Sequence, residues 1–168
     1  MRTHSKKVAV YGVATALSLV LGYVEHLVPF PIGIYGIKLG LSNLATVAVL
    51  YLLGGTAALT LNFFRILLSS LLFGNAVSLV YSLCGGMLSA AVMLLMKRWG
   101  KVSCVGVSTV GGITHNMAQL AVAIVMVDSL KIAFYLPILM IVGSITGFII
   151  GACSLPVITN KYLQKTVR

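Results

Sequence analysis

The sequence predicts an all-α membrane protein of about six transmembrane helices in a single integral membrane domain, and three observations support this. From residue 39 to residue 96 the chain holds one charged side chain, Arg65. Hydrophobic residues make up 60% of the chain and charged residues only 8%, where soluble domains carry roughly 25% charged residues. The long apolar runs do not alternate apolar and polar residues, as the strands of a membrane barrel would.

Charge-free runs occupy 8–24, 39–64, 66–96, 102–127 and 132–160, and a helical span needs about 20 predominantly apolar residues. The two longest divide at the turn signals Gly54-Gly55 and Gly74-Asn75. The expected spans lie near 8–28, 39–53, 56–73, 77–96, 103–127 and 134–158. Together they use most of the 168 residues and leave no room for a soluble domain.

The first span follows Arg2, Lys6 and Lys7, which could also open a secretory signal peptide. No convincing small-x-small cleavage site follows, and removing the span would leave five helices and spoil the agreement of the basic clusters, so it is read as retained. Two small-residue patterns run along it, Gly12-x-x-x-Ala16 and Ala14-x-x-x-Ser18-x-x-x-Gly22. Such spacing lets a second helix approach closely, either within the bundle or from a partner subunit. Its far end carries Glu25 and His26, ahead of a Pro/Gly-rich stretch at 29–36 that is expected to fold back. Lys38 and Asn43 open the second span, and Asn62 and Arg65 share a face at mid-depth of the third. The fourth span ends at Lys97 and Arg98, with Lys101 beyond, and the sixth is followed by Lys161, Lys165 and Arg168. On the fifth, His115 and Gln119 face one way with Asn116 beside them.

Net charge is +10, which in a soluble protein would suggest nucleic acid. Here nine of the twelve cations fall in the three clusters at 2–7, 97–101 and 161–168. With six spans those clusters share one side, which the positive-inside rule makes cytoplasmic for both termini. The chain is therefore expected in the cell membrane, with the lipid bilayer and not nucleic acid as its surroundings. Lys38, Arg65 and Lys131 are the cations that topology leaves unexplained.

An arginine at mid-span costs about 2.5–3.5 kcal/mol on insertion scales, so it should face a partner or a wet cavity. One reading pairs Arg65 with Glu25; the other has Arg65, Lys38 and His115 present positive charge to an anionic ligand. His115 could equally be a hydrogen-bonded interior histidine, and Asn116 and Gln119 could simply join helices. Cys84, Cys104 and Cys153 lie singly in apolar stretches, so neither a disulfide framework nor a metal site is expected. No cofactor motif and no Walker sequence is present. His115 and Ser108 are about 10 Å apart along a helix, too far for a direct proton relay.

These residues carry a resemblance. The order Glu25, a Pro-rich loop, Lys38-Leu39-Gly40-Leu41-Ser42-Asn43, Arg65, Ser82-Leu83-Cys84-Gly85-Gly86, Gly106-Val107-Ser108 and His115-Asn116-x-x-Gln119 is similar to the heptaprenyl diphosphate synthase component I family, also called Gx transporter. The likeness covers roughly residues 8–158 and departs at His26, where the family usually has Asn, and at the inserted Ile34-Tyr35-Gly36. Prenyl elongation uses aspartate-rich motifs, and this chain has two acids, Glu25 and Asp128. A catalytic role is therefore not expected. In architecture the chain resembles the substrate-binding S components of energy-coupling factor transporters. That resemblance implies a substrate site at Glu25, Lys38, Asn43, Arg65, His115, Asn116 and Gln119 for importing a small polar or anionic organic molecule. It also implies that Gly12 and Ala16 meet a transmembrane coupling subunit driven by ATPase subunits. The alternatives are a non-catalytic membrane subunit of prenyl diphosphate or quinone metabolism, or a membrane anchor in a flavin/quinone electron-transfer system.

Overall fold

The computed structural model describes residues 2–27 and 40–167. Among them there is no strand; the helices are α1 (Arg2–Leu27), α2 (Leu41–Leu52), α3 (Gly55–Phe73), α4 (Ala76–Trp99), α5 (Cys104–Val127), α6 (Leu136–Thr159) and α7 (Lys161–Val167), with a 3-10 turn at Leu130–Tyr135 ahead of α6. The fold-back stretch at 29–36 and Lys38 lie outside the described residues.

The breaks fall where the chain chemistry demands them. Gly54 separates α2 from α3 at φ +100°, a backbone region that side chains with a Cβ rarely enter. Asn75 starts α4 by accepting the Ser78 N–H at 2.8 Å, and Ser103 starts α5 by accepting the Gly106 N–H at 3.1 Å. Pro sits in the first turn of α6, where its missing N–H breaks no helical bond. The short α7 was not expected from the sequence.

Five helical segments are long and apolar enough to cross a membrane, and α2 is shorter. Its 12 residues reach about 18 Å, against a hydrocarbon core of about 30 Å. The helix falls inside the expected 39–53 segment, already the shortest of the six. The physical reason for the short length is position: Ala45 to Leu50 are consecutively buried, the pattern of a helix enclosed on all sides. α2 packs on α1, α3 and α6, while α3, α4, α5 and α6 pack in chain order around it. The core is built from Val47, Val49 and Leu50 of α2, Leu61 of α3, Met93 of α4 and Val107 of α5.

Antiparallel order brings the basic clusters to one end. The Gly40 N–H donates to Glu25, tying the end of α1 to the start of α2. At the other end Lys97 Nζ donates to the Leu50 carbonyl at 2.6 Å and lies 4.8 Å over the Tyr51 ring. The α7 helix contacts α1, α2 and α6, which places the 161–168 cluster with the other two.

The tightest packing joins α5 and α6. A Cβ on Gly147 would meet the Ser108 carbonyl oxygen at 2.6 Å, and one on Gly151 would meet Val105 Cα at 2.8 Å. Gly143, Gly147 and Gly151 recur every four residues, so one face of α6 lies backbone to backbone on α5.

Candidate functional site

Arg65 sits midway along α3 and is buried. Its four hydrogen bonds all end on neutral side-chain oxygens. Nη1 donates to Ser42 Oγ at 2.5 Å, Nη2 to Asn43 Oδ1 at 3.1 Å, and Nη2 and Nε to Asn62 Oδ1 at 2.6 and 3.2 Å. Asn62, one turn earlier on α3, is in turn held by donating Nδ2 to the Gly86 carbonyl of α4 at 2.8 Å. On the other side Ser18 of α1 donates to the Ser42 carbonyl at 3.0 Å. This network therefore joins α1, α2, α3 and α4 through Arg65 and Asn62.

The guanidinium is oriented by these contacts, but no negative charge is supplied through them. Glu25 acts on Arg65 through an attractive Coulomb interaction, while its carboxylate accepts the Gly40 N–H. Both sequence readings of Arg65 keep a footing: neutral oxygens hold it by hydrogen bonds, Glu25 attracts it through space, and it lines a cavity.

Arg65 lines a cavity of about 580 Å³ between α1, α2, α3, α4 and α5. The cavity runs from the α3–α4 junction at Gly74 and Asn75, opposite the basic end, down to Ser18, Ser42 and Arg65. Glu25, Asn43, Arg65, His115 and Gln119 all line it, so five of the seven residues proposed from sequence come together. Serine is the commonest lining residue among the described ones and Ile66 and Phe73 are the apolar side chains, so hydroxyl groups are set into a wall that is otherwise largely apolar. Among the described residues those of Ser70, Ser78 and Ser82 make no hydrogen bond, nor does the Gln119 amide.

Asn116 is placed elsewhere. It donates Nδ2 to the Leu139 carbonyl at 2.9 Å, joining α5 to α6, and lines a second, smaller chamber. Lys38 lies outside the described residues. The small residues of α1 divide between two faces. Ser18 is fully buried and Gly22 packs toward Ser42, whereas Ala16 is exposed and a Cβ on Gly12 would meet nothing within 4 Å.

Sequence reasoning named Ser42 and Ser82 within family motifs but gave them no role, and it passed over Ser69, Ser70 and Ser78, which look like ordinary helix-joining hydroxyls in a membrane sequence. Asn62 was legible as the face-mate of Arg65. Gly85 and Gly86 were noted as a family motif, but their physical task was not. A Cβ on Gly85 would come within 2.9 Å of the Gln119 side chain and 3.2 Å of the His115 ring, and one on Gly86 within 3.2 Å of Asn62 Nδ2. The pair lets α4 approach both polar helices. No group of three His, Cys, Asp or Glu able to hold a metal occurs among the described residues.

A family model described as heptaprenyl diphosphate synthase component I matches residues 14–156. Neither the curated proteins nor the solved structures searched gave a match.

Proposed function

The chain belongs to the heptaprenyl diphosphate synthase component I family, and from that premise we propose that it is a non-catalytic, membrane-embedded binding subunit that captures a small polar or anionic organic solute for import. The observation that carries this reading is the cavity of about 580 Å³ with Arg65 in its wall and a hydroxyl-rich lining. Its volume falls in the range of small-molecule sites, roughly 300–1,000 Å³. The guanidinium is fixed by Ser42, Asn43 and Asn62, so an incoming anion meets a pre-oriented charge. Ser70, Ser78, Ser82 and Gln119 then supply hydrogen bonds that fix the ligand's orientation.

The cavity mouth lies opposite the three basic clusters. With those clusters in the cytoplasm by the positive-inside rule, the solute enters from outside. Release of the bound solute into the cytoplasm needs an energy source, and the sequence carries no Walker motif to supply it. A transmembrane coupling subunit with ATPase subunits would supply it, docking on the exposed Gly12 and Ala16 face of α1.

The second reading keeps the family's name literal and has Arg65 hold the diphosphate of a prenyl lipid in a synthase or quinone pathway. A prenyl tail needs an apolar channel, for which the described lining residues offer Ile66 and Phe73, whereas Arg65, the serines and Gln119 suit a small polar solute directly. Native mass spectrometry of the detergent-purified protein, with denaturing identification of what travels with it, tests the choice. A water-soluble organic compound or ATPase subunits is the expected result; a prenyl diphosphate or a synthase subunit would overturn the import reading.

A further inference from the structure

Beneath the main cavity a smaller chamber of about 40 Å³ lies between α2, α4, α5 and α6. The two share Asn43, His115 and Gln119 in their walls, so those side chains stand between them. The inner chamber differs in chemistry. The Ser89 hydroxyl donates to the Gly111 carbonyl at 2.8 Å, the Thr146 hydroxyl to the Val142 carbonyl at 3.0 Å, and Asn116 Nδ2 to the Leu139 carbonyl at 2.9 Å. Each commits a proton to backbone and leaves oxygen lone pairs for the chamber. Ser108, a residue 3% exposed, adds a hydroxyl that makes no hydrogen bond among the described residues. A buried polar group of this kind is stabilised once it finds a partner.

We propose that the inner chamber is a binding site for a neutral hydroxyl oxygen anchored by Ser108, one that donates to the surrounding acceptors and accepts from Ser108. An anion is disfavoured because acceptors dominate the wall. A cation is disfavoured by repulsion from the Arg65 guanidinium, which sits on Asn43 Oδ1 of the shared wall at 3.1 Å. The volume suits one or a few water-sized groups, since about 10–15 Å³ of such space holds one water. The oxygen comes either from trapped water or from the hydroxyl end of a solute whose anionic end lies near Arg65. The first source stands on geometry alone; the second rests on the solute-binding reading above.

Met93 lines the inner chamber and not the outer cavity, so its methyl group reports on this site selectively. The test uses full-length protein in lipid nanodiscs, labelled with 13C-methyl methionine, with Met93 assigned by the Met93→Leu variant. Water-to-methyl cross-relaxation is measured without and with glycerol as a polyol probe. A water contact at Met93 that persists in glycerol supports the site with solvent as its source. Replacement of that contact by a glycerol contact supports it with a ligand hydroxyl as the source. Contact with neither overturns the proposal, and leaves the outer-cavity reading standing because native mass spectrometry tests that separately. Ser108→Ala keeps the packing against Gly151 and removes the hydroxyl alone. It is expected to lose the water contact, and an undiminished contact would overturn the anchoring role of Ser108.

Discussion

Replacing Asn62 by Asp changes the charge at the centre of the network with almost no change of shape. Asn62 Oδ1 receives Arg65 Nη2 at 2.6 Å and Nε at 3.2 Å, so the new carboxylate would meet the guanidinium in the same geometry and neutralise it. At an effective dielectric constant of about 20, a unit charge acts on an anion about 6 Å away with roughly 2.8 kcal/mol. An anionic solute held by Arg65 should therefore bind about 100-fold more weakly. Folding should suffer less. The variant replaces the Asn62 Nδ2 bond to the Gly86 carbonyl by an oxygen–oxygen repulsion, a cost of about 1–3 kcal/mol, and offsets it with a charge-assisted pair to Arg65. The assay is the fraction of protein carrying its co-purifying small molecule by native mass spectrometry, read beside thermal unfolding in detergent. Near-normal unfolding with emptied sites is expected. Full occupancy by an anionic compound in the variant would refute the claim that the Arg65 charge is what attracts the ligand.

The other predictions probe separate parts of the same construction. Arg65→Lys should lower thermal stability and ligand occupancy together, because one ammonium cannot reach Ser42, Asn43 and Asn62 in the planar arrangement the fork satisfies. Gly147→Ala should destabilise the fold by about 1–3 kcal/mol, measured by thermal unfolding, since its Cβ meets backbone at 2.6 and 2.8 Å and α5 must move away. Lys97→Met removes the bond to the Leu50 carbonyl and the contact with the Tyr51 ring. A stability loss of about 1 kcal/mol is expected, with ligand occupancy unchanged because Lys97 lies at the other end of the bundle. Gly12→Leu should leave unfolding temperature unchanged, as its side chain enters open space. If the face docks a coupling subunit, the same variant loses co-purifying membrane partners in a pull-down.

The six apolar helices and their break points were legible because they depend on composition and on Gly or Asn at turns, which act locally; the short polar α7 was not. The α2 helix falls inside the expected 39–53 segment, but its enclosure by α1, α3 and α6 was not legible, because which neighbours cover a helix is decided by the folded bundle. The same limit applied to the small residues. Attention went to α1, yet two four-residue series offset by two positions lie about 200° apart on a helix at 3.6 residues per turn, so they could not serve one interface. Ser18 and Gly22 turn inward while Gly12 and Ala16 turn outward. The true close-packed stripe, Gly143, Gly147 and Gly151, stood in the sequence at the spacing that marks such seams and was passed over.

Arg65 was legible as an anomaly, and the structure changes what it means. A side chain needed only to join α2 to α3 would not have to be charged. Asn or Gln could bridge Ser42 and Asn62 without the insertion penalty of an ion at mid-membrane. A charge needed only for stability would be expected against a carboxylate, because a buried ion gains most from direct pairing. Arg65 has neither arrangement: its hydrogen bonds go to Ser42, Asn43 and Asn62, which orient it without neutralising it. The Glu25 charge adds a through-space attraction. A rigid cation whose hydrogen bonds to Ser42, Asn43 and Asn62 all end on neutral oxygens, beside a cavity, is stabilised further by an anion that arrives to meet it. That is the physical case for assigning the charge to a ligand and the surrounding amides and hydroxyls to holding it in place.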